Sequence, residues 1–220
     1  MTEVPYFLDL LKVRGDLRGG FVERVAGVDV GGEKAEVLAR LAEHHAEEVA
    51  RLGFGGGDLW LAEQVHGGEV AVVPAGGGQQ IGGVDALVTG VAGVLLGIHV
   101  ADCGAIFVVD RATGALGLAH SGKKGTEANI LGATVRRMAA EFGSRPADLW
   151  VALAPCIRPP AYEVDFAAEI GCQALAAGVP AGQFCDSGVC TSSDPERFYS
   201  YRVEKGKTGR MLALLGRVAE

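Results

Sequence analysis

The sequence lacks any apolar run near the ~18 residues a membrane-spanning helix needs, so no such helix is expected. Its start, Met1-Thr2-Glu3-Val4, carries an acid and no basic stretch, unlike a secretory signal. Cysteines are few and odd in number, five in a chain of 220 residues that is too long to need disulfide staples. With no export signal they read as reduced thiols of a cytoplasmic protein. Positive charge is also short: 20 Lys and Arg face 27 Asp and Glu, for a formal net charge of -7. A general nucleic-acid binder needs a basic surface, so that class is disfavoured, but a local basic pocket for one small anion is not.

Glycine is what the sequence has in excess, 34 residues, about double the usual share. These glycines are scattered, which implies many tight turns and no linker. Apolar residues make up 49% of the chain, enough for a proper core. No repeat, low-complexity tract or composition shift divides the sequence, so residues 1–220 read as one domain.

Residues 34–52 have helical spacing in Leu38, Leu41, His45, Val49 and Leu52, with Gly53 as the stop. Leu59–Val65 and Glu69–Val73 read as strands around Gly67-Gly68, and 74–83 as an exposed Gly-rich connection. Short apolar runs at Ala86–Thr89, Val94–Val100, Ala105–Val109, Ala115–His120 and Leu149–Leu153 predict further strands. Helices are expected at 127–142, 165–177 and 208–219. Clustered strands with interspersed helices point to an α+β fold with a mixed or antiparallel sheet.

The segment Asp110–Gly114 suits a hairpin loop. A turn centred near Ala112 pairs residues whose numbers sum to about 224. Cys103 then lies opposite roughly Ser121, beside His120. A thiolate and an imidazole brought together suit zinc or copper. His66, at the end of its strand before two glycines, is the natural third ligand. Plainer roles are expected elsewhere. Cys172 reads as a buried small hydrophobe, His99 as a core histidine, and His44 and His45 as structural.

The segments Gln64-Val65-His66-Gly67, Asp85-Ala86-Leu87-Val88-Thr89, Ala101-Asp102-Cys103 and Ala119-His120-Ser121-Gly122 resemble the YfiH family. Gly125-Thr126, Ala154-Pro155-Cys156-Ile157, Tyr199-Ser200-Tyr201-Arg202 and Thr208-Gly209-Arg210 extend the resemblance in the same order. That family is described as multicopper polyphenol oxidoreductase or purine nucleoside phosphorylase-like. The resemblance implies a central β-sandwich flanked by helices, like a toxin deamidase fold. It implies a His66, Cys103, His120 metal site with an open position, and small-molecule substrates: purine nucleosides and phosphate. It also implies phosphorolysis or adenosine deamination, with zinc as the expected metal and copper as the alternative. Zinc brings a bound water to a pKa of about 7, which suits attack at a purine C6. Asp102 is a candidate base or ligand-orienting residue, with a simple turn residue as its alternative. Lys124 is a catalytic candidate, and His45, Lys123, Arg202 and Arg210 are substrate-binding candidates.

This sequence departs from the family pattern where substrate is expected. Ser121-Gly122-Lys123-Lys124-Gly125-Thr126 stands where the family has Ala-Gly-Trp-Arg-Gly-Thr, and His44-His45 stands at an Asn-Arg pair. Lys offers a point charge where Arg offers a fork, so a looser grip on phosphate is expected, tighter near pH 6 if His45 lines the pocket. Three other readings stand beside the nucleoside enzyme. A copper oxidase is weakened by a supply of only five histidines. The others are a cysteine hydrolase with Cys103 as nucleophile and His120 as base, and a metal-binding homologue without catalysis.

Overall fold

The computed structural model describes residues 6–219. The Met1–Val4 start, read above for an export signal, lies outside them. The first helix, α1, spans Lys34–Arg51. Glu33 opens it through a capping box with Glu36, and Gly53 leaves it at φ 88°, a left-handed backbone that glycine adopts freely.

Eleven strands follow one another among the described residues: β1 Leu17–Val22, β2 Leu59–Ala62, β3 Val70–Val72, β4 Gln80–Ile81, β5 Ala86–Thr89 and β6 Val94–Val100. Then come β7 Gly104–Asp110, β8 Leu116–Ser121, β9 Leu149–Leu153, β10 Phe184–Asp186 and β11 Met211–Arg217. They form a five-stranded sheet, β1-β11-β6-β2-β4, and a six-stranded sheet, β10-β9-β7-β8-β5-β3. Both are mixed: β1, β11 and β6 run antiparallel, whereas β2 joins β6 in parallel.

The sheets stack face to face, as alternation along each strand requires. Leu96, Ile98, Ala213 and Leu215 from one sheet share a core with Phe107, Val109, Leu116 and Leu118 from the other. The outer face of the six-stranded sheet, with Ile106, Val108 and Ala119, is covered by α3 (Ile130–Phe142) and α4 (Phe166–Ala176). On the outer face of the five-stranded sheet, Leu95, Leu212 and Leu214 meet Val49 of α1. The expected α+β sandwich flanked by helices is therefore the observed one. Among the described residues no helix is long and apolar enough to cross a membrane.

Several expectations fail for identifiable reasons. The tail 208–219 is no helix; its centre is β11, a strand between β1 and β6. Its run Met211–Leu215 is buried on both faces, and a short apolar run gives no period to separate strand from helix. The helix expected over 127–142 is two, α2 (Lys123–Glu127) and α3, broken at Asn129. Asn129 takes a left-handed φ of 53°, and its side chain caps α3 by accepting from the Gly132 amide. Leu59–Val65 and Glu69–Val73 shrink to β2 and β3, which belong to different sheets. Strands β1, β4 and β10 were not anticipated, and β4 falls within the stretch 74–83 that was expected to be only a connection. Finally, the hairpin register is one residue off. Its loop is the four residues 111–114, so Gly104 faces Ser121 and Ala105 faces His120.

Candidate metal centre

Three side chains converge beyond the strand ends. His66 follows β2, Cys103 joins β6 to β7, and His120 is the penultimate residue of β8. Their ligand atoms lie within 4.8 Å of one another, the one such group of three or more among the described residues. The two imidazoles stand edge to face with centroids 4.9 Å apart. Gly122 must be glycine here, because a methyl group on it would collide with Cys103 Sγ.

Asp85, fully buried just before β5, assembles this group. Its carboxylate accepts from His120 Nδ1 at 2.8 Å. It also accepts from the amides of Val65 at 3.2 Å, His66 at 2.9 Å and Gly67 at 2.7 Å. Three successive amides turned toward one carboxylate account for the left-handed backbone of His66, φ 62°. The contact to Nδ1 leaves Nε2 of His120 as the ring nitrogen free to act as a ligand.

Asp102 is the second left-handed residue, φ 79°, directly before Cys103. One carboxylate oxygen accepts from the Thr191 hydroxyl and the other from the Arg202 amide, each at 2.7 Å. Its carbonyl accepts from the Ile157 amide at 2.8 Å. Asp102 thus ties the Cys103 segment to three others, and both its oxygens are engaged by the protein itself.

The charges in the cluster are mutually supporting. Burial resists ionisation of Cys103, but hydrogen bonds to His120 and His66 outweigh it and lower the thiol to about 6. Burial likewise opposes charge on His120, yet Asp85 and Cys103 raise it to about 9. Burial would raise Asp85, but His120 and the converging amides bring it to about 2. A ready thiolate flanked by two imidazoles is a donor set that fits zinc, and equally the softer copper.

The cluster opens into a cavity of about 670 Å³, a size suited to a small-molecule ligand. Lys34, Lys123, Arg202, Lys205 and Arg210 line it, and among the described residues Asp102 is its one carboxylate. Among the described residues only Arg202 of these bases is paired, with Glu163 at 2.8 Å, and its guanidinium lies over the Tyr162 ring. Burial lowers both Arg210 and Lys34 below their ordinary pKa values, and Arg210 adds to the effect on Lys34.

Of the residues singled out from sequence, His66, Asp102, Cys103, His120, Lys123, Arg202 and Arg210 all line this cavity. Lys124 does not; it is exposed on α2. Nor does His45, on the buried side of α1, which lines an adjoining groove and is lowered by burial to about 4. The expected tightening of phosphate near pH 6 through His45 falls with that placement. His99, read as a core residue, is part of the cavity wall, and Cys172, read as buried, is exposed. Asp85, Lys34 and Lys205 were missed as site residues. Asp85 carried a signal, an acid opening a strand of four buried residues; the two lysines carried none.

Fold and centre together define a two-sheet α+β protein with a His–Cys–His cluster on the wall of a cationic cavity. The chain belongs to the multi-copper polyphenol oxidoreductase laccase family, whose sequence profile matches residues 17–172 and 164–218. It is 34% identical to the purine nucleoside phosphorylase YlmD of Geobacillus stearothermophilus, over 94% of this chain and 88% of that protein. A purine nucleoside phosphorylase of Deinococcus radiodurans is also 34% identical, over 89% of this chain and 87% of its own length. The crystal structure of the Geobacillus YlmD superposes with a TM-score of 0.86 at 28% identity, covering 94% of each chain.

Proposed function

We propose that this protein cleaves purine nucleosides with inorganic phosphate, at a centre that holds one zinc ion through His66, Cys103 and His120. The carrying observation is the charge of the cavity: five bases and a single, already engaged carboxylate, in a chain of net charge -7. Attack by water calls for no such lining, whereas an anionic co-substrate does. The relatives named as purine nucleoside phosphorylases support the substrate class.

In phosphorolysis the C1′–N bond breaks, a C1′–O bond to phosphate forms, and the departing purine takes up a proton. Arg210 is the fixed end of the anion site. Its Nη1 donates to the carbonyls of Thr208 and Gly209, which leaves the rest of the fork for phosphate. Lys34, Lys123 and Lys205 add mobile point charges. Asp102 acts as a positioning residue, holding the Arg202 loop against the Cys103 segment. Asp85 orients His120 and fixes the His66 backbone. Zinc, when bound, supplies a Lewis acid beside this anion site. Lys124, outside the cavity, has no part in this reading. The five unbridged cysteines support a cytoplasmic setting, and the shared core of the two sheets supports one domain.

Inosine and adenosine incubated with the protein, with and without phosphate, should yield hypoxanthine and adenine only when phosphate is present. Arg210→Ala should raise the KM for phosphate about tenfold or more. Conversion of adenosine to inosine at an undiminished rate without phosphate would replace phosphorolysis by deamination. Elemental analysis should find about one zinc per chain, lost in Cys103→Ser. A thiolate with two imidazoles also suits copper, which keeps an oxidase as the second reading. Phenol oxidation by copper-loaded protein near ~10 s⁻¹ would favour it.

A further inference from the structure

Strands β9 and β10 run side by side in parallel as far as Leu153 and Asp186. Their continuations meet once more, at a single parallel bridge between Cys156 and Cys190. The Cys156 amide donates to the Val189 carbonyl and the Thr191 amide to the Cys156 carbonyl, each at 3.2 Å. Neighbouring strands lie about 4.8 Å apart, inside the range of roughly 4.4–6.8 Å between Cα atoms that a disulfide spans. Residues paired in parallel point to the same side, and both cysteines pack against the same core, the one under α3 and α4. Both are free thiols.

The two sulfurs differ in access. Cys156 is fully buried, and burial pushes its thiol up to about 12. Cys190 is only half-buried. Its Sγ lies 3.3 Å from the Arg158 amide, which donates to it, and 3.1 Å from the Ser192 hydroxyl. The more accessible sulfur is the one an oxidant meets first. The residue after each cysteine reaches the metal centre. The Ile157 amide donates to the Asp102 carbonyl and the Thr191 hydroxyl to the Asp102 carboxylate. Asp102 directly precedes the ligand Cys103, so the cysteine pair stands at the root of the clamp on that segment.

We infer that Cys156 and Cys190 are an oxidation site, a dithiol that hydrogen peroxide converts to a disulfide by way of Cys190. The Cys190 sulfur attacks one peroxide oxygen. The O–O bond breaks, an S–O bond forms, and water leaves behind a sulfenic acid. The Cys156 sulfur then attacks the Cys190 sulfur. The S–O bond breaks, an S–S bond forms, and the hydroxyl departs as water with the Cys156 proton. Two thiols lose two electrons, and the peroxide that takes them becomes two waters. Transient disulfides of this kind are those a reducing compartment permits. The new bond closes across segments that are already paired, so it fixes both holders of Asp102 in place. Given the metal centre proposed above, it slows the release of zinc.

The test treats the full protein with hydrogen peroxide, unfolds it in N-ethylmaleimide and cleaves it before aspartate. That cut puts Cys103, Cys156 and Cys190 in separate peptides, 102–109, 148–164 and 186–193, with Cys172 and Cys185 together in 165–185. The expected product is 148–164 joined to 186–193, separated again by dithiothreitol. Cys190→Ser should leave Cys156 fully alkylated after peroxide. Cys156→Ala should leave Cys190 as a sulfenic acid that dimedone captures. The inference is overturned if no joined peptide forms at peroxide levels that already oxidise the exposed Cys172. A join of 148–164 to 102–109 overturns it as well, because Cys103 would then be the partner. Zinc should pass to a chromogenic chelator several-fold more slowly from the oxidised protein than from the reduced one. Equal rates would deny the link to the centre. The two readings fail separately, since a protein that binds no zinc and still forms the disulfide keeps this site and loses the proposed centre.

Discussion

At Asp85 a single carboxylate holds the ring of one ligand and the backbone of another. Asparagine there would turn an NH2 toward groups that are already donors. Asp85→Asn should therefore lower zinc affinity about 10–100-fold, measured by competition with a chromogenic chelator. An affinity equal to that of the unsubstituted protein would show that the ligands hold their places without it. His45 makes a prediction of a different kind. Burial lowers its pKa from the ordinary 6.5 to about 4, and lowers His99 to about 3. Between these values the unfolded chain takes up protons that the native one refuses. Their contribution to stability is complete above about 6.5 and declines as pH falls toward 4. Melting temperatures should fall over that window, and His45→Phe should flatten part of the slope. An identical slope in the variant would mean that His45 charges freely in the native state.

Two elements carry tests of how the chain is built. The break between α2 and α3 rests on Asn129, which must be left-handed and must also cap. Asn129→Ala should cost about 0.5–2 kcal/mol, and Asn129→Gly less, because glycine takes the left-handed backbone without strain. Equal losses by urea denaturation would show that the side-chain cap matters and the backbone sign does not. Strand β11 is the second case. Leu214, fully buried, reaches the outer core under α1, whereas its neighbour Leu215 reaches the core between the sheets. Leu214→Ala should cost about 2–5 kcal/mol. A loss under about 0.5 kcal/mol, as at an ordinary surface position, would deny β11 its central place.

Over the whole molecule, a net charge of -7 surrounds a cavity lined by five bases. Such a focused field draws in anions and weakens with salt. The kcat/KM for phosphate should fall as KCl rises from about 10 to 300 mM, more steeply than kcat. Salt independence would mean that the cavity bases do not act on the anion as it approaches. Much of this architecture was legible from local pattern. The first helix, the strands at 86–89, 94–100 and 149–153, and the meeting of Cys103 with His120 follow from periodicity and one hairpin loop. Those features depend on residues close in sequence, whose spacing and turn chemistry act locally. The rest depends on long-range packing. Met211–Arg217 became a strand because β1 and β6 offer it hydrogen bonds on both sides. His45 turned away from the metal because α1 lies on the outer face of the other sheet. Lys34 and Arg210, on the cavity wall, and Asp85, behind the ligands, come from segments far apart in the chain, and only the closed sandwich brings them to one site. Their charges and hydrogen bonds gain strength there because burial removes the competing water.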